Sequence, residues 1–313
     1  MEAVAVGSAS VDMFVYAGAK KISRAGRAYI SYPAGGKTLA ERIEFHTGGG
    51  GTNVSAGLAK LGIKTAFVGS LGDDYGRHII LDSLARHGVR FAGVTKPGIC
   101  GYSVILDGKD LDRSIIASRG VNDNLRYLDA RATLKANWLC FSSMLGESLK
   151  TQKKLATAAA KKGIRIAYNP SLYMIDKGIS GIVKMAHLLS LNKEEAEALA
   201  GMNGNHEAVI KRIHGMGPKT VCITDGPKPA YCYDGRLYRI QPSRMKVVES
   251  TGAGDAFFSG FLAGTIRKYG TEQSLKIGMA NSESVIGAIG AKHGLLTMKE
   301  ALRKASGYRV TLL

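Results

Sequence analysis

The run Ala3-Val4-Ala5-Val6 is apolar at every position and stops at Gly7, the pattern of a short strand ending in a turn. Comparable runs recur at Thr65–Val68, Trp138–Phe141, Ile164–Tyr168, Leu188–Leu191 and Thr220–Thr224. Between them the apolar spacing changes to that of helices. Val54, Leu58 and Leu61 share one helical face; Ile79–His87, Leu149–Lys162 and Lys193–Ala200 read as further helices, and Gly62 and Gly163 stop two of the four. Strands alternating with helices predict βαβ units, hence an α/β fold: a doubly wound, mostly parallel sheet flanked by helices. Ligands of such sheets bind beyond the carboxyl ends of the strands.

Two stretches break the alternation. Phe14–Thr47 has no helical period and reads as extended strands and loops, while Gly101–Leu106 and Arg113–Ser118 read as a hairpin joined by a polar turn at 107–112. Without repeats or a Pro-rich linker, a single domain over 1–313 is expected, with segments of about 14–47 and 99–118 covering one end of the sheet.

Two glycine turns carry candidate chemistry. In Val247–Leu262 a β-branched run predicts a strand, Gly252-Ala253-Gly254 a tight turn, and Asp255 with Phe257, Phe258, Phe261 and Leu262 the start of a helix. The free N–H groups and dipole of a helix start favour an anion, and glycine lets the backbone approach it closely. Asp255 has two readings, an N-cap or a general base beside a phosphate-binding turn. The second turn, Gly48-Gly49-Gly50-Gly51, opens a helix through Thr52-Asn53; no buried strand is expected to lead into it, which excludes a dinucleotide fingerprint. Gly36-Lys37-Thr38 mimics the end of a Walker A loop, but Ser31 stands where that loop needs its first glycine.

Composition narrows the field. The 313 residues carry a formal net charge of +18, with basic residues scattered and not interleaved with aromatics, so the charge reads as general attraction for anionic substrates more than as a nucleic-acid surface. Cys100, Cys140, Cys222 and Cys232 form no CxxC pair, which argues against zinc and for buried free thiols. No apolar run approaches the roughly 20 residues of a membrane span, and a cytoplasmic protein is expected.

Taken in order, these pieces resemble the ribokinase-like, or PfkB-type, carbohydrate kinases over nearly the full length. The resemblance rests on Gly48-Gly49-Gly50-Gly51-Thr52-Asn53, Arg119-Gly120-Val121-Asn122, Asn192-Lys193-Glu194-Glu195, Thr224-Asp225-Gly226 and Ser250-Thr251-Gly252-Ala253-Gly254-Asp255. It implies transfer of the terminal phosphoryl group of ATP, with Mg²⁺, to a hydroxyl of a sugar or nucleoside. By the same resemblance Asp255 is the general base, and the Gly252, Ala253 and Gly254 N–H groups form an anion hole. Asp12, Gly48, Gly49, Asn53, Arg119 and Asn122 border the acceptor; Asn192, Thr224, Gly226, Thr251 and Asn281 border the nucleotide; Glu195 organises the metal through water. Asn192 and Glu195 also read as an ordinary helix start, and Asp12 as a turn residue.

The resemblance further implies a small β-sheet lid over the sugar, often used for dimerisation. Relatives usually carry lysine or a similar residue where Gly50 stands, aspartate where Glu249 stands and aspartate where Asn169 stands, so the acceptor and any monovalent-cation site are left open. Within the family, a nucleoside kinase would use Phe14, Tyr16, Tyr29 and Tyr32 as a base shelf, and a sugar-phosphate kinase would use Lys20, Lys21, Arg24, Arg27, Lys37 and Arg42. Outside it stand a nucleic-acid-binding module and a catalytically silent sugar sensor.

Overall fold

The alternating pattern of the first strand already shows how the layers are built: Val4 and Val6 enter one apolar core, Ala3 and Ala5 the other. In the computed structural model, which describes residues 1–24, 27–108, 113–243 and 247–313, both faces of one large sheet are covered in this way. Among the described residues that sheet has ten strands, ordered Val310–Leu312, Leu237–Ile240, Lys228–Tyr233, Thr220–Asp225, Leu188–Asn192, Arg165–Tyr168, Trp138–Phe141, Ala3–Val6, Thr65–Val68 and Arg90–Phe91. The pairs from Arg90–Phe91 to Thr220–Asp225 are parallel. This is the expected doubly wound arrangement.

The last three strands pair antiparallel, an extension the apolar runs did not reveal. Lys228–Tyr233 and Leu237–Ile240 are short and interrupted by polar and aromatic residues, so no continuous apolar run marks them.

Among the described residues a five-stranded small sheet lies apart from the large one. Its centre is Ser10–Arg24, paired parallel with Gly101–Gly108 and antiparallel with Arg27–Ser31 and Arg42–Gly48, while Arg113–Ser118 closes the hairpin with Gly101–Gly108. The predicted turn at 107–112 lies largely outside the described residues. Asp12 is therefore inside a strand, opposite His46 and Ser103, and not in a turn after one. Arg42–Gly48 does lead into the four-glycine turn, but its side chains are mostly open to solvent because it belongs to the small sheet.

The strand predicted at Val247–Ser250 does not form. The Val248 and Glu249 N–H groups both donate to the Ile286 carbonyl, at the end of helix Gly270–Val285, and the two valines remain about two-fifths exposed. Their β-branched character favoured a strand, yet among the described residues no strand pairs with them.

Candidate active site

The large sheet changes direction at Ala3–Val6. The chain winds outward from it through Thr65–Val68, then returns to its other side at Trp138–Phe141, and a crevice opens beyond Val6 where the order reverses. Gly7 stands in that crevice: a Cβ there would overlap Ser142 Oγ and come within 2.7 Å of the Gly51 Cα. The four-glycine turn is thus laid directly on the strand end, with the Gly51 N–H donating to the Ser8 carbonyl at 3.0 Å. Asn122 fixes the next residue, accepting from the Ala9 N–H at 2.9 Å and donating to the Ala9 carbonyl at 2.8 Å.

The second glycine turn meets the first. Helix Ala253–Ile266 is capped by Gly252 in the left-handed region at φ 79°, so the cap is a glycine and Asp255 lies in the first helical turn. Helix Gly50–Lys60 packs beside it, and Asn53 Nδ2 donates to Asp255 Oδ2 at 2.8 Å. Asp255 keeps some contact with solvent, yet its carboxyl is set deep. Burial pushes its pKa up to about 6, against the opposing pull of the Asn53 hydrogen bond and the Lys292 charge. A carboxylate poised there can hold or release a proton near neutrality.

Two cavities adjoin these turns. The first, about 230 Å³, is walled by Asp12, Ser10, Gly49, Ser103, Arg119 and Asn122 with Ile105 and Ile115 on its apolar side. Asp12 is buried and accepts from Ser10 Oγ at 2.8 Å. Gly48 is closed behind it, since a Cβ at that position would land on the Asp12 carboxylate. The second cavity, about 170 Å³, is walled by Asn169, Ser190, Asn192, Glu195, Thr224, Gly252, Gly254 and Asp255.

Asn192 and Glu195 form a capping box: the Asn192 side chain accepts from the Glu195 N–H, and the Glu195 carboxylate accepts from the Asn192 N–H, both at 2.8 Å. Both readings of this pair therefore apply, because the same carboxylate also faces the second cavity. Burial raises the Glu195 pKa to about 7, the Asn192 hydrogen bond opposes the rise, and the negative charge of Asp255 adds to it. A cation would relieve that crowding. Among the described residues no group of three or more His, Cys, Asp or Glu forms a ready metal cage. One carboxylate beside amide and hydroxyl oxygens suits an ion that keeps its waters and takes the rest of its ligands from phosphates.

Three expected residues stand elsewhere. Thr251 borders the first cavity, not the second. Gly226 turns the exposed hairpin at φ 53°, beyond the wall that Thr224 joins. Asn281 is fully buried, donating to the Ala256 carbonyl at 2.9 Å and accepting from the Leu296 N–H at 3.1 Å, so its amide is used inside the protein. Arg119 reaches the first cavity but holds Asp123 in a bidentate pair, with 2.7–2.9 Å contacts.

Sequence reasoning missed Lys292. It is 8% exposed, follows Gly290-Ala291 in an irregular turn, and bonds the Thr47 carbonyl and, at 3.2 Å, Thr47 Oγ1. A lone lysine in a glycine- and alanine-rich turn gives no periodic signal.

Comparison with known proteins gives the family. Residues 11–298 match the pfkB family of carbohydrate kinases. The chain is 28% identical over 250 residues to an uncharacterized sugar kinase of Archaeoglobus fulgidus, covering 76% of this chain and 98% of that protein. It is 25% identical over 284 residues to the ribokinase of Haemophilus influenzae, covering 88% and 92%. The structure of Arabidopsis thaliana ribokinase complexed with ribose and ATP superposes with a TM-score of 0.79 over 97% of this chain and 98% of that one, at 24% identity. The family match and the fold thus define a ribokinase-like phosphotransferase. The chain belongs to the pfkB family carbohydrate kinases, and it is a carbohydrate kinase.

Proposed function

We propose that the protein transfers the terminal phosphoryl group of ATP to a hydroxyl of an uncharged sugar bound in the first cavity, with ATP in the second. The observation that carries this reading is the Asn53–Asp255 hydrogen bond, which joins the two glycine turns where the cavities adjoin. Asp255 takes the hydroxyl proton, the hydroxyl oxygen forms the new O–P bond, and the bond to the leaving diphosphate breaks with its electron pair staying on ADP. The N–H groups at Gly252–Gly254 receive the phosphoryl oxygens, with donors of this type worth about 3 kcal/mol each in the transition state. Asp12 holds the acceptor hydroxyls. Asn192 and Glu195 would hold hydrated Mg²⁺, which would supply charge neutralisation at the phosphates.

The walls of the first cavity favour an uncharged sugar over the alternatives. Phe14, Tyr16, Tyr29 and Tyr32 are not among its lining residues, so the base shelf of a nucleoside site is missing from it, and Phe14 packs edge-on against His46 instead. Lys20, Arg24, Lys37 and Arg42 do not line it either; Arg42 stacks over Tyr16 and pairs with Glu44 at 3.2 Å, while the Lys21 and Arg27 side chains lie outside the described residues. Arg119, the one cation of the wall among the described residues, is already neutralised by Asp123. Serine hydroxyls and one carboxylate remain, the groups that bind sugar hydroxyls.

On this reading the chain is a single domain, with the small sheet as a lid whose Asp12 face looks into the cavity. Its opposite face exposes Ile43, Phe45 and Ile116, at 51%, 61% and 63%, which a second copy of the chain would cover. All four cysteines are buried and free, in keeping with a reducing cytoplasm. Among the described residues no helix is long and apolar enough to cross a membrane. The test is ADP release measured over free sugars, sugar phosphates and nucleosides. Turnover with free sugars is expected, and turnover confined to sugar phosphates or nucleosides would overturn the acceptor assignment.

A further inference from the structure

A buried ammonium group stands behind the proposed site and has no part in the mechanism above. Lys292 lies in the turn that follows helix Gly270–Val285, on the large-sheet side of the crevice, while the carbonyl that receives its hydrogen bond, Thr47, belongs to the small sheet. Thr47 is adjacent to Gly48, the residue packed against the Asp12 carboxylate, and is paired in register with Val11. The lysine therefore ties the turn after helix Gly270–Val285 to the small sheet at the point where Asp12 is mounted. Gly50 offers no alternative route for a cation, since a Cβ there would stand 2.8 Å from Ser142 Cβ although only 3.6 Å from Asp255 Oδ1.

Charge accounts for the burial. A fully enclosed ammonium is costly unless opposite charge is near, and the carboxylates acting on Lys292 are Asp12 and Asp255. The other titratable groups of the surrounding elements are His46 and Glu44 on the small-sheet strand, Arg86 and His87 at the end of helix Gly76–Arg86, and His293 beside Lys292 itself. His46 and Glu44 pair with each other at 3.1 Å, and Arg86 pairs with Asp82 at 3.1 Å.

We propose that Lys292 is a positioning residue for phosphoryl transfer, fastening the small sheet at Thr47 and keeping the Asp255 carboxylate ionised until it takes the hydroxyl proton. The inference rests on Asp255 as the base. Lys292 itself keeps its three protons throughout the transfer. Burial lowers its pKa to about 8 while both carboxylates oppose the drop, so it is charged below about pH 8.

The test is the pH profile of kcat/KM for acceptor-dependent ADP release by wild type, Lys292→Met, Lys292→Gln and Lys292→Arg. Loss of the charge in the Met and Gln variants should move the acidic limb upward by about one pH unit, and Arg should leave it near its wild-type place. A structural tether alone would lower Tm and rate without moving that limb. An unmoved limb in whichever neutral variant folds overturns the inference. Asp255→Asn separates the two claims: if it turns over like wild type, the base assignment fails whatever Lys292 does, and if it is inactive while the limb of Lys292→Met stays fixed, only the lysine inference fails.

Discussion

Asn53 and Asp255, 202 positions apart in the chain, are joined by a single hydrogen bond of 2.8 Å, and that bond ties the starts of two helices to one point. It also acts on the chemistry of Asp255, because an amide donor favours the charged carboxylate. Asn53→Ala should move the acidic limb of the activity profile upward from about 6, where burial has set Asp255. The expected shift is about one unit, read from kcat/KM against pH.

Asp255 also opposes folding. Its folded-state pKa of about 6 lies above the ordinary 3.8, so the folded protein binds this proton more tightly than the unfolded chain does. The associated stability is fully present below pH 3.8 and is lost as pH rises through 6. Asp255→Asn should therefore be more stable than wild type at pH 8, by about 1–2 kcal/mol once the weaker bond to Asn53 is allowed for. Thermal unfolding of the two proteins at pH 8 checks this.

The glycines of the anion turn should separate folding from function. At Gly252 the backbone is left-handed and a Cβ would press to within 2.8 Å of the Ala291 Cα, so Gly252→Ala should cost roughly 1–3 kcal/mol of stability. At Gly254 a Cβ meets nothing within 4 Å, and the residue faces the second cavity. Gly254→Ala should keep the wild-type Tm and lose activity on the order of 10²-fold, because its methyl group enters the phosphate space.

Asp12→Ala should raise KM for the acceptor by roughly 10- to 100-fold, the loss expected for hydrogen bonds to one charged group, with ATP binding unchanged. Separately, Phe45→Glu should turn a dimer into a monomer in sedimentation, since it charges the exposed face of the small sheet.

The parallel core was legible because fully buried strands write continuous apolar runs, as at Ala3–Val6 and Trp138–Phe141. The antiparallel edge was not, since Lys228–Tyr233 opens on Lys-Pro and then alternates buried with half-buried positions. Val247 and Val248 misled in the other direction: strand propensity is local, whereas pairing needs a partner edge. The two glycine turns stood out through composition alone, and the structure brings them together through Asn53 and Asp255. Asn281 and Lys292 show the limit. Nothing in a one-dimensional pattern distinguishes an amide used in the core from one facing a cavity, or shows that a lysine in a turn is buried.

The most direct test of the account is acceptor-dependent ADP release at saturating ATP and Mg²⁺ by Asp255→Asn beside wild type, using the best free sugar. Wild type should release ADP on addition of sugar, and kcat should fall on the order of 10³-fold in the folded variant. A wild-type rate in Asp255→Asn would contradict it.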